Sequence, residues 1–209
     1  MRLKRATLLA IIGISYAFVL RTIGTFLPDI FRNLIVVQFT QIMAFLASLT
    51  IVFFFISFYK GYVERERIKL RNVSILVIIG TSAMSLLHIK GLFIVFNVYT
   101  LSYLVKSHYI EAIIPWLSSL FILLFFIFFH KETLRKGDIK LRKATLSAII
   151  GSSIGTLERT FVLFNYFYSR EVRWFSDLSR KIQIIFIPIF VFSFIAILYF
   201  FLSFYKEQQ

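Results

Sequence analysis

The chain has 209 residues and a formal net charge of +14; 59% of it is hydrophobic and only 16% is charged, with a mean hydropathy of +0.83. Soluble domains run at roughly 45–50% apolar and about 25% charged, so the composition excludes a soluble globular domain, a disordered chain and a nucleic-acid-binding domain. Eight glycines and three prolines exclude a collagen-like or linker-rich chain. The lack of cysteine excludes a disulfide framework, a zinc–thiolate site and a cysteine nucleophile.

A helix needs about 20 mostly apolar residues to cross a hydrocarbon core of about 30 Å. Six runs qualify in chain order. The first is Ala6 to Leu20, extending to Phe26 only by carrying Arg21. The second is Leu34 to Tyr59, and the third is Val73 to Leu87, reaching towards Val98. The fourth is Ala112 to Phe129. The fifth is Ala144 to Leu157, extending to Tyr168 past Glu158 and Arg159. The sixth is Ile182 to Tyr205. The expected fold is all-α: one transmembrane domain over 1–209, six helices built as three tandem two-helix repeats. The basic start Met1 to Arg5 before an apolar run has the form of a signal peptide. The same segment recurs twice later in the chain, so it is read as part of the fold.

With six spans, one side holds Arg2, Lys4, Arg5, Lys60, Arg65, Arg67, Lys69, Arg71, Lys131, Arg135, Lys136, Lys140, Arg142, Lys143 and Lys206. These are fifteen of the 24 lysines and arginines. Basic loops face the cytoplasm, so both termini are expected to be cytoplasmic and the location to be the cell membrane. Arg170, Arg173, Arg180 and Lys181 on the last outer loop temper the bias.

Three segments align without gaps: Arg2 to Ser15, Lys69 to Ser82 and Lys140 to Ser153. They share a basic residue, Leu, a basic residue, a small residue or Val, a hydroxyl, Ile-Ile, Gly and Ser. The repeat ends match as well, at Ser57-Phe58-Tyr59-Lys60, Phe128-Phe129-His130-Lys131 and Ser203-Phe204-Tyr205-Lys206. The repeats are 2–60, 69–131 and 140–206. Each has an even number of spans, so all insert the same way up, which implies an axis along the membrane normal and approximate threefold symmetry. Mitochondrial carriers also have three two-span repeats, but their Pro-x-acid-x-x-basic signature is missing. Pro28-Asp29-Ile30-Phe31-Arg32 has the wrong spacing, and the other repeats have nothing like it. The chain is not assigned to that family.

Small residues on the first helix fall at Ala6, Ala10, Gly13 and Ala17, and on the fifth at Ala144, Ala148, Gly151 and Gly155. The third carries the bulkier Val73, Val77, Gly80 and Met84. Spacings of three and four keep residues on one face, and small faces let helices pack closely in lipid. Four residues further on stand Arg21, His88 and Arg159, roughly 22 Å from the inner end by helical rise. An ionisable group at that depth costs several kcal/mol unless it is hydrated, paired or snorkelled. Two readings follow. The three are basic anchors at helix ends, reaching lipid phosphate, with Glu158, Asp29, Glu111 and Glu171 as nearby partners. Alternatively they form a positive ring in an outward vestibule that binds an anion, a lipid headgroup or a carboxylate, with Glu158 beside it. His88 titrates near pH 6.5 when unperturbed.

Other signals are weaker. Gly151-Ser152-Ser153-Ile154-Gly155 matches G-x-S-x-G, but that motif needs a strand-turn-helix setting and here lies in a membrane helix. His88, His108 and His130 stand too far apart to share a metal. Residues 169–181 have the pattern of an interfacial amphipathic helix, with Val172, Phe175 and Leu178 spaced by three and Trp174 at headgroup level. The inner connectors attract anionic lipid headgroups and are too short to hold a catalytic domain. No enzyme activity, cofactor or nucleic-acid partner is expected. Two functions remain: a non-enzymatic sensor, scaffold or partner-binding membrane module, or a small-anion transporter or channel with Arg21, His88 and Arg159 as its selectivity ring. A packed inner half favours the first, and a continuous polar path past Ser15, Ser82 and Ser153 favours the second.

Overall fold

The computed structural model describes residues 2–27, 33–63, 68–96, 108–168 and 173–208. They form six α-helices: α1 (Leu3–Phe26), α2 (Leu34–Phe58), α3 (Ile68–Val95), α4 (His108–Lys136), α5 (Ile139–Tyr168) and α6 (Arg173–Lys206). A π-helical turn, Tyr59–Val63, follows α2. Asp29 and Glu171 lie outside the described residues.

Five of the six helices are long and apolar enough to cross a membrane: α1, α2, α3, α4 and α6. The fifth expected span, Ala144 to Leu157, falls short of that mark. Helix α5 has the length, at 30 residues, but Ser, Thr, Gly, Glu158 and Arg159 dilute its apolar stretch. A second expectation is corrected at α6. Its helix runs unbroken for 34 residues from Arg173, about 51 Å at 1.5 Å per residue. Residues 173–181 are therefore the first turns of the last helix and not a separate interfacial one; residues 169–172 lie outside the described set.

The chain divides into two compact units, Met1–His108 and Tyr109–Gln209. In the first, α2 packs against both α1 and α3; in the second, α5 and α6 pack closely along their lengths. The two helices of the second sequence repeat, α3 and α4, fall in different units.

Local chemistry sets the helix ends. Asn33 caps α2 by accepting the Ile35 N–H at 2.9 Å. Between α4 and α5 the turn is only two residues long. Gly137 takes φ 73°, a left-handed conformation that glycine adopts without steric cost. Asp138 then caps α5, its carboxylate accepting the Leu141 N–H at 2.9 Å. So short a connection leaves α4 and α5 antiparallel neighbours.

The three odd-numbered helices bury the same arc. Ala6, Thr7, Ala10 and Gly13 are buried on α1; Val73, Ser74, Val77 and Gly80 on α3; and Ala144, Thr145, Ala148 and Gly151 on α5. The hydroxyls in this arc are satisfied by carbonyls of their own helix. Thr7 donates to Leu3 O at 2.9 Å, Ser74 to Leu70 O at 2.8 Å and Thr145 to Arg142 O at 2.9 Å. The opposite stripe is exposed: Leu8, Ile12, Val19 and Phe26 on α1; Ile75, Ile79 and Leu86 on α3; Leu146, Ile150, Leu157 and Phe164 on α5. These positions correspond between the aligned repeats, and their apolar side chains suit contact with lipid tails.

The even-numbered helices bury phenylalanines at matching places: Phe54, Phe55 and Phe58 on α2; Phe125, Phe126 and Phe129 on α4; Phe200, Phe201 and Phe204 on α6. In the second unit these rings interlock. Phe126 meets Phe200 edge-to-face at 4.8 Å, and Phe129 meets Phe200 and Phe204 at 5.9 Å each. Such edge-to-face pairs contribute about 0.5–1.5 kcal/mol each beyond area burial. All nine lie towards the basic end of the helices, where Lys60, Lys131 and Lys206 follow them.

Candidate functional site

The glycines set how closely the helices approach. A Cβ on Gly13 would collide with Thr50 Oγ1 and stand 3.0 Å from Ala47 O; one on Gly151 would stand 2.6 Å from Ser193 O and 3.0 Å from Ala196 Cβ. Counted back from Tyr59 and Tyr205, Ala47 corresponds to Ser193 and Thr50 to Ala196. The first and last hairpins thus make their tightest contact at equivalent residues. Gly155 is looser, with Ser193 Oγ 3.7 Å from its Cβ position, and Ala17 is exposed. The close-packed stripe on α1 therefore ends at Gly13.

Beyond the seam, Arg21, His88 and Arg159 each stand eight residues past the seam glycine. Helical phase puts all three on the buried arc, opposite the lipid-facing stripe. All three are half-buried. Arg21 and His88 belong to the first unit and Arg159 to the second. Arg21, His88 and Glu158 are engaged by neighbours. Arg159 forms no hydrogen bond or ion pair with the described residues. Glu158 adjoins it in sequence, but consecutive helical residues face different ways.

Around Arg159 the second unit has a defined register. Trp116 Nε1 donates to Thr160 Oγ1 at 2.9 Å, and Thr160 donates to Thr156 O at 2.8 Å. The Trp116 bond ties α4 to α5 one residue past Arg159. On the other side, Ser193 Oγ donates to Gly151 O, joining α6 to α5. Continuing that antiparallel register outward by eight residues sets Arg159 level with residue 185. Pro115, beside Trp116, stands on α4 at the same level. Pro115 and, on α6, Pro188 lie inside their helices.

The first unit has polar groups of another kind. Along α2 and α3, Ser48 and Ser85 are hydrogen-bonded at 2.9 Å. Gln41 Oε1 lies 2.9 Å from a Cβ built on Gly91, and Gln38 Nε2 donates to Val95 O at 3.5 Å. His88 falls between these contacts on α3. Tyr16 carries a buried hydroxyl with no hydrogen-bond partner among the described residues.

At the basic end, His130 Nδ1 lies 2.8 Å from Thr145 Oγ1, and Thr133 Oγ1 is 3.4 Å from the same atom. Neither this cluster nor the Trp116–Thr160 pair was visible in the sequence, because each joins two helices. The regular recurrence of Phe-Phe-x-x-Phe near each repeat end is the signal that could have found the aromatic core. The Gly151–Gly155 segment is helical throughout, with Ser152 donating to Ala148 O at 2.7 Å. Among the described residues, no three His, Asp or Glu side chains gather to hold a metal.

No family model matches the chain, and neither a curated protein nor a solved structure is similar enough to stand as a relative. The functional reading therefore rests on the chemistry of these residues.

Proposed function

We propose that the chain is a non-enzymatic membrane module, a sensor or scaffold, whose outer-side cations take an anion or the acidic group of a membrane partner. Arg21 and His88 in the first unit and Arg159 in the second are the outward-facing cations of this reading. The protein resides in the cell membrane with both termini cytoplasmic, where its basic ends meet anionic lipid headgroups. It has no nucleic-acid partner.

The observation that carries the proposal is the contrast between the two ends of the helices. Towards the basic end, nine phenylalanines are buried and the seam hydroxyls are bonded to their own helix carbonyls. That packing supports a binding module over a conduit, since a path for a hydrated ion needs polar lining. Towards the far end stands Arg159, half-buried on the packing face and without a protein partner among the described residues. A cation held there in a region of low dielectric attracts an anion strongly.

The test uses the full chain in liposomes, with inorganic phosphate, chloride and glutamate as probes. The expected result is saturable binding of at least one probe, lost in the Arg21→Ala plus Arg159→Ala variant, with membrane insertion intact and no flux in either protein. Flux of a probe that the double variant abolishes would replace the proposal with a small-anion transporter. Equal binding by both proteins would reduce the cations to structural anchors.

A further inference from the structure

The contacts of α5 fix the direction in which Arg159 projects. Thr160 accepts from Trp116 and so faces α4. Gly151 and Gly155 lie against Ser193 and so face α6. At about 3.6 residues per turn, the arc between these two faces holds Thr156, Ser152 and Arg159, in that order. Arg159 therefore points into the interior of the second unit, between α4 and α6. A helical side chain leans back over the turn before it, here the turn of Gly155 and Thr156. Gly155 leaves that turn open, since the nearest atom to a Cβ placed there is Ser193 Oγ at 3.7 Å.

Hydroxyls reach the same place from all three helices of the unit. Thr156 comes from α5 and Ser193 from α6. Ser119 comes from α4, on the face of Phe126, which meets Phe200 of α6. The Trp116–Thr160 and His130–Thr145 contacts set Ser119 level with Thr156. A hydroxyl has one proton to give and two lone pairs. Each of these three gives its proton to a main-chain carbonyl: Ser119 to Trp116 O at 2.7 Å, Thr156 to Ser152 O at 2.8 Å and Ser193 to Gly151 O. They are left as acceptors. Arg159, which can only donate, has no partner among the described residues.

An occupant that answers both demands is an anion with a donor of its own. The surroundings select its charge. A monoanion leaves no net charge beside the guanidinium, whereas a zwitterion brings an ammonium into a region of low dielectric that already holds a cation. The donor that fits is an uncharged O–H. Resting on the anion-binding reading, we infer that the interior of the second unit, at the level of Arg159 and Thr156, binds a small monoanion that carries its own hydroxyl. Arg159 takes the anionic oxygens with its paired N–H donors, and the lone pairs of Ser119, Thr156 and Ser193 take the hydroxyl. An α-hydroxycarboxylate and dihydrogen phosphate both have this chemistry.

The experiment is isothermal titration calorimetry of the full chain in detergent, at a mildly acidic pH where phosphate is largely the dihydrogen form. L-Lactate, propionate and alanine are of equal length and differ only at Cα, which carries a hydroxyl, a hydrogen or an ammonium. Phosphate is the fourth probe. Lactate or phosphate is expected to bind about tenfold more tightly than propionate, with alanine weaker than lactate, and the tighter of the first two identifies the source. Arg159→Gln should cut the binding of both about tenfold, the loss of one charge-assisted contact. Ser119→Ala combined with Thr156→Val should bring lactate down to propionate and leave propionate unchanged. Thr156→Ser keeps the hydroxyl and should keep the preference, which separates lost acceptors from a damaged fold. Equal binding of lactate, phosphate and propionate, still weakened by Arg159→Gln, overturns the hydroxyl inference and leaves the anion site standing. Alanine binding more tightly than lactate overturns the hydroxyl inference as well. No binding of any of the four, or binding untouched by Arg159→Gln, overturns both.

Discussion

His130 and Thr145 close the α4–α5 hairpin from opposite sides of its two-residue turn, with imidazole Nδ1 and hydroxyl Oγ1 2.8 Å apart. Thr145 also donates to Arg142 O, and Thr133 donates to His130 O at 2.8 Å. With both hydroxyl protons directed to carbonyls, Thr145 Oγ1 accepts from the imidazole. In the other two repeats the position of His130 is tyrosine, Tyr59 and Tyr205, so this link is particular to the hairpin with the tightest connection.

Thr145 is fully buried, so Thr145→Ala strands the His130 donor. Because His130 itself is only half-buried, the expected cost is about 0.5–1.5 kcal/mol, the usual net contribution of a hydrogen bond. Thr145→Ser keeps the hydroxyl and should recover most of it. Denaturant unfolding of the detergent-solubilised chain measures both variants; equal stability of Thr145→Ala and the parent would show that the bond contributes nothing.

The glycine contacts separate backbone from side-chain obstruction. At Gly151 the added methyl meets Ser193 O, a main-chain atom held in α6. Gly151→Ala should therefore push α5 from α6 and lower stability by a few kcal/mol, within the range for overpacking. At Gly13 the nearest obstacle is the Thr50 hydroxyl, so Thr50→Ala should rescue Gly13→Ala in part. Gly61→Ala serves as the control, since its nearest neighbour is Leu3 at 3.9 Å. Thermal unfolding of the four variants reads the order directly.

Much of this architecture was legible in the sequence. Charge-free runs mark the helices because lipid cannot solvate charge, and the recurring basic, hydroxyl, Ile-Ile-Gly segment marks equivalent starts. The buried arc was legible up to Gly13, Gly80 and Gly151. Ala17 was not, because close approach needs a fitting backbone on the partner helix, and one helix shows only half of that requirement. The aromatic core was hidden by composition. With 27 phenylalanines in the chain, the nine buried ones stand out only when the repeats are aligned at their ends. The isolation of Arg159 could not be read either. An acid next in sequence looks like a partner until helical phase separates the two.

Phe126 on α4 and Phe200 on α6 meet edge-to-face with centroids 4.8 Å apart. Truncating either to alanine removes a buried ring and leaves a cavity, costing about 3–5 kcal/mol. Because they touch, the double variant should cost less than the sum, and a double-mutant cycle should return a coupling of roughly 0.5–3 kcal/mol. Strict additivity would mean that the rings stabilise the fold independently.

Ser48 and Ser85 offer a polar counterpart in the first unit. Ser85 also donates to Thr81 O at 3.1 Å, so each hydroxyl has a second outlet. Interhelical hydrogen bonds in membrane proteins average about 0.6 kcal/mol by double-mutant cycle. The Ser48→Ala and Ser85→Ala cycle should fall near that value, well below the aromatic pair. A coupling as large as that of Phe126 and Phe200 would assign the α2–α3 seam a main share of the stability.

Arg159 and Leu157 stand two residues apart on opposite faces of α5, and their substitutions should move insertion in opposite directions. Leu157→Arg puts a charge on the lipid-facing stripe, where the translocon scale assigns up to about 2.5–3.5 kcal/mol at a helix centre and less near an end. Arg159→Leu removes a charge that no described residue compensates, so apparent insertion of α5 should improve by a similar amount. The same change deletes the donor fork on which the anion site depends. A glycosylation-mapping assay of α5 insertion, run beside phosphate binding on the same variants, separates the two effects. Better insertion with lost binding identifies a residue kept for its ligand at the expense of stability, the pattern expected of functional sites. Poorer insertion of Arg159→Leu would show that the arginine anchors the helix end, and would remove the main support for a binding site there.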